Sequence, residues 1–250
     1  MKSTRTAYDV FGEWVPLIGE EYFTKYRNML MQATVNGIPI EPNPALTFHC
    51  LRFLQPDDVK VVILGQDPYP DGKATGLAFA NDIIQDAPEL MSPSLRVIRE
   101  SVLSLSKLED FATFDPSLES WEKQGILLLN SALTVKRGEP GSHTLAWKPF
   151  IERLLVGISA HTNAYFLLFG KTAWSFKDCI FDNARGVAME YHPAYYARNN
   201  IPMPNACWKE MLRYVEENFG TTLHLYGRKC ENQECNSRDC PGWNPDEIQA

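Results

Sequence analysis

Val59-Lys60-Val61-Val62-Ile63-Leu64-Gly65-Gln66-Asp67-Pro68-Tyr69-Pro70 is an apolar run that stops at a glycine and then turns polar and proline-rich. A run this short and near-continuously apolar, rich in β-branched residues, reads as a strand buried on both faces. Three further segments predict strands of the same sheet: Ile126 to Asn130 (ILLLN), Tyr165 to Phe169 (YFLLF) and the more mixed Val187 to Tyr191 (VAMEY). Helical patterns lie between them. Ser92-Pro93 places a capping residue before a proline at the first helical position, and Leu95, Ile98, Val102 and Leu105 then recur at helical spacing. Phe150, Leu154 and Ile158 mark a second helix, and Trp208, Met211, Leu212, Val215 and Phe219 a third. Strands that alternate with helices predict an α/β fold, a three-layer α/β/α sandwich around a four-stranded parallel sheet. Tyr22, Tyr26 and Met29 place another helix ahead of the proline-rich stretch at Pro39, Pro42 and Pro44.

With 250 residues, 44% of them hydrophobic, the chain is long enough to bury a full core, and one domain over residues 1–226 is expected. Residues 227–250 read as a polar, flexible tail. Cys230, Cys235 and Cys240 recur there at a five-residue step with no fourth ligand at zinc spacing, so no metal is expected. Cys50, Cys179 and Cys207 sit in apolar or mixed segments and read as buried free thiols. The net charge of -7 disfavours a broad nucleic-acid surface but leaves room for a local basic patch, with Lys136, Arg137, Lys171 and Arg198 as candidates. No apolar run approaches a membrane span, and Met1 to Asp9 lacks the apolar stretch of a signal peptide. A soluble intracellular protein with no membrane role is expected.

In an open parallel sheet, ligands bind beyond the carboxyl ends of the strands. The first strand runs into Gly65-Gln66-Asp67, the second ends on Asn130, the third runs into Gly170-Lys171-Thr172, and the fourth into His192-Pro193. A carboxylate, an amide and an imidazole therefore meet at one rim. Singly, Asp67 suits a turn cap, Asn130 a loop hydrogen bond and His192 a core histidine; together they suggest a site. Such a set suits hydrolysis of a bond whose leaving group departs as an anion. Asp67 would orient a water and stabilise positive charge, and His192 would donate to the departing oxyanion, with no metal or other cofactor needed.

The motifs GQDPYP (Gly65 to Pro70), GLAFA (Gly76 to Ala80), SPSL (Ser92 to Leu95), WEKQGILLLN (Trp121 to Asn130), SHTLAW (Ser142 to Trp147), FLLFG (Phe166 to Gly170) and HPAYYA (His192 to Ala197) follow one another in order. From about Phe11 to Phe219 the chain resembles family 1 uracil-DNA glycosylases. The resemblance implies excision of uracil from single- or double-stranded DNA by a monomeric, monofunctional N-glycosidic bond hydrolase. It implies that Asp67 positions the attacking water and that His192 stabilises the uracil anion at O2. Asn130 would read N3–H and O4, Phe79 would stack on the everted base, Tyr69 would exclude the thymine methyl, and the Gln66 backbone would complete the pocket. DNA contacts would come from Ser94, Lys171, Ala194, Tyr195, Tyr196 and Arg198.

This chain departs from the family pattern at several of these positions. Pro70 stands where most members have histidine, Ala194 and Ala197 where serines grip phosphates, Lys171 where serine is common, and Tyr196 where the leucine wedge sits. Tyr196 is accordingly expected to fill the stack that the uracil leaves. The resemblance also admits a protein inhibitor or a replication partner, and with it a second reading as a DNA-binding processivity subunit. A flavodoxin-like small-molecule binder shares only the fold and lacks a phosphate signature. The compartment would be cytoplasmic in a bacterium, or the host cell or nucleus for a virus or eukaryote.

Overall fold

The computed structural model describes residues 6–106, 112–180 and 186–228. Cys230, Cys235, Cys240 and the tail from residue 229 lie outside the described residues. The expected sheet is present, with strands β1 (Val61–Gly65), β2 (Ile126–Asn130), β3 (Tyr165–Phe169) and β4 (Val187–Glu190). All neighbours are parallel and the spatial order is β2-β1-β3-β4. β1, β2 and β3 are buried at every position, which explains their continuous apolar sequence. β4 is half-exposed, which explains its mixed one, whereas β2, at the opposite edge, is covered throughout. Val59 precedes β1 instead of opening it, because its amide closes a helical turn onto the Pro56 carbonyl.

The chain leaves β1 for β2 on one side, then crosses back to place β3 on the other. The strand order therefore reverses at β1, and the crevice of an open α/β sheet belongs beyond its carboxyl end. The register sets Gly65 opposite Asn130 and Leu64 opposite both Leu129 and Leu168. The residues that follow β1 thus emerge beside the end of β2.

The principal helices are α1 (Glu20–Val35), α2 (Pro93–Leu103), α3 (Thr144–His161), α4 (Pro193–Asn199) and α5 (Ala206–Phe219). Ser92 caps α2, its hydroxyl accepting from the Leu95 amide at 3.3 Å, with Pro93 at the first position. α2 ends at Leu103, so Leu105 lies in the turn beyond it. Tyr165 and Phe169 project from the same face of β3 and meet α5, their rings 5.2 Å from Tyr214 and 5.7 Å from Trp208. A second aromatic cluster joins α1 to α3, with Tyr26 stacked on Trp147 at 4.4 Å and Phe23 edge-on to Phe150 at 5.6 Å. Gly227–Arg228 pairs antiparallel with Ala112–Thr113, and the Trp121 indole donates to the Leu225 carbonyl, so the chain stays tied to the body as far as Arg228. Cys50 and Cys207 are buried free thiols, while Cys179 is only partly covered. Among the described residues no helix is long and apolar enough to cross a membrane.

Candidate active site

Asp67, Tyr69, Phe79, Ser94, Asn130 and His192 border one cavity beyond the carboxyl ends of β1 and β2. Gly65, at the end of β1, lets two of these side chains pack closely over the strand end. A Cβ there would come within 2.7 Å of Asn130 Oδ1 and 3.1 Å of Phe79 Cζ, closing the space between amide and ring.

The loop after β1 is clamped to the loop after β2. The Gln66 carbonyl accepts from the Ser131 hydroxyl at 2.6 Å and the Ala132 amide at 3.1 Å, which fixes the peptide leading to Asp67. A second clamp comes from residues 138–141. The Gly138 amide donates to the Pro70 carbonyl at 2.9 Å, and the Gly141 amide to Asp67 Oδ2 at 2.5 Å. Sequence reading missed Gly141. Its signal was the Pro140-Gly141 pair, since a turn with proline second and glycine third needs the positive φ of 79° that Gly141 adopts. Burial raises the Asp67 pKa above its ordinary 3.8, while hydrogen bonds from the Gly141 amide and the Gln66 side chain pull it back. The result is a carboxylate that is partly desolvated and anchored at Oδ2 by the Gly141 amide.

Phe79 adopts a φ of 66°, rare for a non-glycine residue and costing about 1–3 kcal/mol. It is held there from both sides. The Ala78 amide donates to the Leu128 carbonyl of β2 at 3.1 Å, and the Phe79 carbonyl accepts from the Tyr69 hydroxyl at 3.0 Å. The same Tyr69 oxygen accepts from the Ser92 hydroxyl at 2.6 Å, so both rings are fixed by the cap of α2. Burial pushes the Tyr69 phenol up to about 12. The Phe79 ring lies edge-on to Phe169 at 5.5 Å and 5.5 Å from the His192 ring, and it shares the lining of the cavity with Tyr69 and Asn130.

His192 is the N-cap of α4, its Nδ1 accepting from the Ala194 amide at 3.2 Å. An acceptor Nδ1 carries no proton, so the neutral ring bears its hydrogen on Nε2. Burial, then the charge of Arg198, lowers its pKa from 6.5 to about 4. Gly170, with a φ of 83°, permits the close approach of the next loop, since a Cβ there would lie 2.8 Å from His192 Cβ.

The expected DNA contacts divide. Ser94 is buried and borders the cavity. Lys171, Tyr195 and Arg198 are exposed. The Ala194 amide is engaged by His192 Nδ1, and its side chain is a methyl. The structure turns the expected wedge residue inward. Tyr196 is only 6% exposed, and its hydroxyl donates to Glu190 Oε1 at 2.5 Å. Residues 193–199 form a helix instead of an open loop, and its fourth position turns inward while the third, Tyr195, turns out. Of the expected basic patch, Lys136 is paired with Glu139 and Arg137 with Glu41, so that stretch is largely neutralised.

Fold and site together define an α/β protein of the open parallel-sheet class, with a cavity lined by a clamped carboxylate, an amide and a neutral imidazole. The Uracil DNA glycosylase superfamily model matches residues 51–216, and the chain belongs to that superfamily. It is 33% identical over 221 residues to the uracil-DNA glycosylase of Borrelia duttonii, covering 85% of this chain and 96% of that protein. It is 37% identical over 177 residues to the Epstein-Barr virus uracil-DNA glycosylase, covering 70% of this chain and 65% of the viral one. The crystal structure of mimivirus uracil-DNA glycosylase has the same fold, with a TM-score of 0.68 at 22% identity over 85% of each chain. A variant of the mimivirus protein, solved in complex with UGI, superposes with a TM-score of 0.70 at 22% identity, covering 86% of this chain and 88% of that one.

Proposed function

We propose that this chain excises uracil from DNA, hydrolysing the bond between base and sugar and leaving an abasic site in an intact backbone. The observation that carries this reading is the convergence of Asp67, Asn130, Phe79 and a neutral His192 on one cavity in a member of the superfamily. A base inside a duplex is out of reach of these groups, so the uracil must first be everted, at a cost of a few kcal/mol.

In the cavity, Phe79 would stack on the uracil ring, and the Asn130 amide would pair with N3–H and O4. The fixed Tyr69 ring would sit against C5, where thymine carries a methyl. As the C1′–N1 bond breaks, its electron pair leaves with the base and positive charge grows on the sugar. Asp67, partly desolvated and anchored by the Gly141 amide, would stabilise that charge, orient the water that adds at C1′ and take up the proton that water releases. His192 would donate Nε2–H to the uracil oxygen that becomes anionic. A ring already neutral and fixed in this tautomer donates without reorganising, as a preorganised oxyanion donor should. No step in this scheme needs a cofactor or metal. Residues 1–226 would form the catalytic domain.

The test is release of free uracil from a uracil-containing oligonucleotide, with strand scission only after alkali. Scission without alkali would refute the monofunctional assignment, and binding without release would favour a DNA-binding subunit.

A further inference from the structure

Outside the cavity, on the loop that carries His192, the protein displays a ladder of aromatic rings. Trp174 is its base. Its indole N–H is shared between the Leu168 carbonyl at 3.0 Å and the Glu190 carbonyl at 3.2 Å, which pins it across the ends of β3 and β4. The Tyr191 ring lies 5.6 Å from Trp174, and the Tyr195 ring stacks on Tyr191 at 4.8 Å and 26°. Tyr195 is itself fixed, its amide donating to the His192 carbonyl at 2.7 Å and its carbonyl accepting from Asn199 at 2.7 Å. Tyr191 is nonetheless 50% exposed and Tyr195 39% exposed. Rigid, stacked and half-open rings beside a pocket are a surface built to receive another flat ring.

Position says which ring. Tyr191 is the chain neighbour of His192, and Tyr195 lies in the first turn of α4, which His192 caps, so the ladder is built on the same segment that carries the imidazole of the cavity. Exposed Lys171 lies on the short helix Gly170–Trp174 that carries Trp174, and exposed Arg198 on α4, giving positive charge for a nucleic-acid backbone. The ladder stands outside the cavity lining, so it serves a neighbour of the bound base and not that base itself.

Resting on the uracil-excision reading above, we propose that Tyr191 and Tyr195 form a platform that stacks an unpaired base adjacent to the everted uracil on the same strand, and so engages single-stranded uracil-containing DNA. In a duplex the flanking base keeps its own pair and stacking neighbours and has little to gain. In a single strand it gains a stacking partner. Base–aromatic stacking is sequence-tolerant, because every base presents a π-face.

Two measurements test this. In steady-state assays the double variant Tyr191→Ala, Tyr195→Ala should raise KM about tenfold on a single-stranded uracil oligonucleotide, with a much smaller change on the matching duplex. The variant pair Tyr191→Phe, Tyr195→Phe should restore KM, since it keeps the rings. Equal losses on both substrates, no loss on either, or a loss that phenylalanine does not restore would overturn the platform. In the second measurement, Asp67→Asn protein with its tyrosines intact binds a single strand carrying 2-aminopurine on one side of the uracil or the other. Quenching of 2-aminopurine on one side is expected, and no quenching on either side overturns the proposal. If the unsubstituted chain releases uracil from neither substrate, the excision reading itself fails and the platform falls with it.

Discussion

His192 Nδ1 accepts the Ala194 amide at 3.2 Å, so the start of α4 and the protonation state of the imidazole are one structural fact. Protonating Nδ1 would break the cap as well as charge a buried ring. The expected outcome is a neutral, Nε2–H histidine from pH 5 to 8, visible in the ¹⁵N shifts of the ring. Burial holds its pKa near 4 when folded, against 6.5 in the unfolded chain. Between these values the unfolded state binds more protons, so this group's contribution to stability is complete above about pH 6.5 and declines as the pH falls toward 4. His192→Ala should flatten that part of the stability profile. A ring that titrates near 6.5 in the folded protein would contradict the cap.

Asp67→Asn should leave DNA binding in place while lowering the single-turnover rate by orders of magnitude, because the carboxylate acts mainly on charge that develops in the transition state. Since burial raises its pKa above 3.8, activity should fall on acidification through that raised value as the carboxylate gains a proton. Cleavage by the variant at the unsubstituted rate would remove this rim from the chemistry.

Tyr69→Ala should admit thymine. The ring is held by two hydrogen bonds at its hydroxyl, to the Phe79 carbonyl and from Ser92, so it cannot swing away to make room for a methyl. Release of thymine from a normal duplex is the measurement. Continued refusal of thymine with uracil still cut would place the discrimination elsewhere.

Gly65→Ala should block the cavity. Its new methyl would meet Asn130 Oδ1 at 2.7 Å and Phe79 Cζ at 3.1 Å, and neither side chain is free to withdraw from a buried position. The variant should lose activity through KM, and titration with free uracil should show the same loss of affinity.

Tyr196→Phe should act on stability. Removing the hydroxyl deprives Glu190 of a donor to its charge, a change of about 1–3 kcal/mol read by denaturant unfolding. The ratio of activity on duplex to single-stranded DNA should stay unchanged. A loss confined to duplex would restore Tyr196 as the wedge.

Sequence alone determined the frame. Strands buried on both faces are nearly all apolar, so VKVVIL, ILLLN and YFLLF announced themselves, and β4 was less distinct because it is only half-buried. Asp67, Asn130 and His192 were legible as a set because polar groups at strand ends collect at the rim of a parallel sheet wherever the strands fall in the order. Phe79 and Tyr69 were named through resemblance, since an aromatic in an apolar context carries no mark of facing a cavity.

Tertiary structure decided what depends on small rotations and distant contacts. Tyr195 and Tyr196 are adjacent and chemically identical, and about 100° of helical rotation sends one to solvent and the other onto Glu190. That rotation is set by where α4 begins, hence by the His192 cap, which no local pattern announced. The clamp on Asp67 comes from Gly141, far away in the chain, and the tautomer of His192 from a single amide. Composition and periodicity report which groups must be buried; the direction in which a rim side chain points, and the proton it carries, follow from contacts that exist only once the loops are packed together.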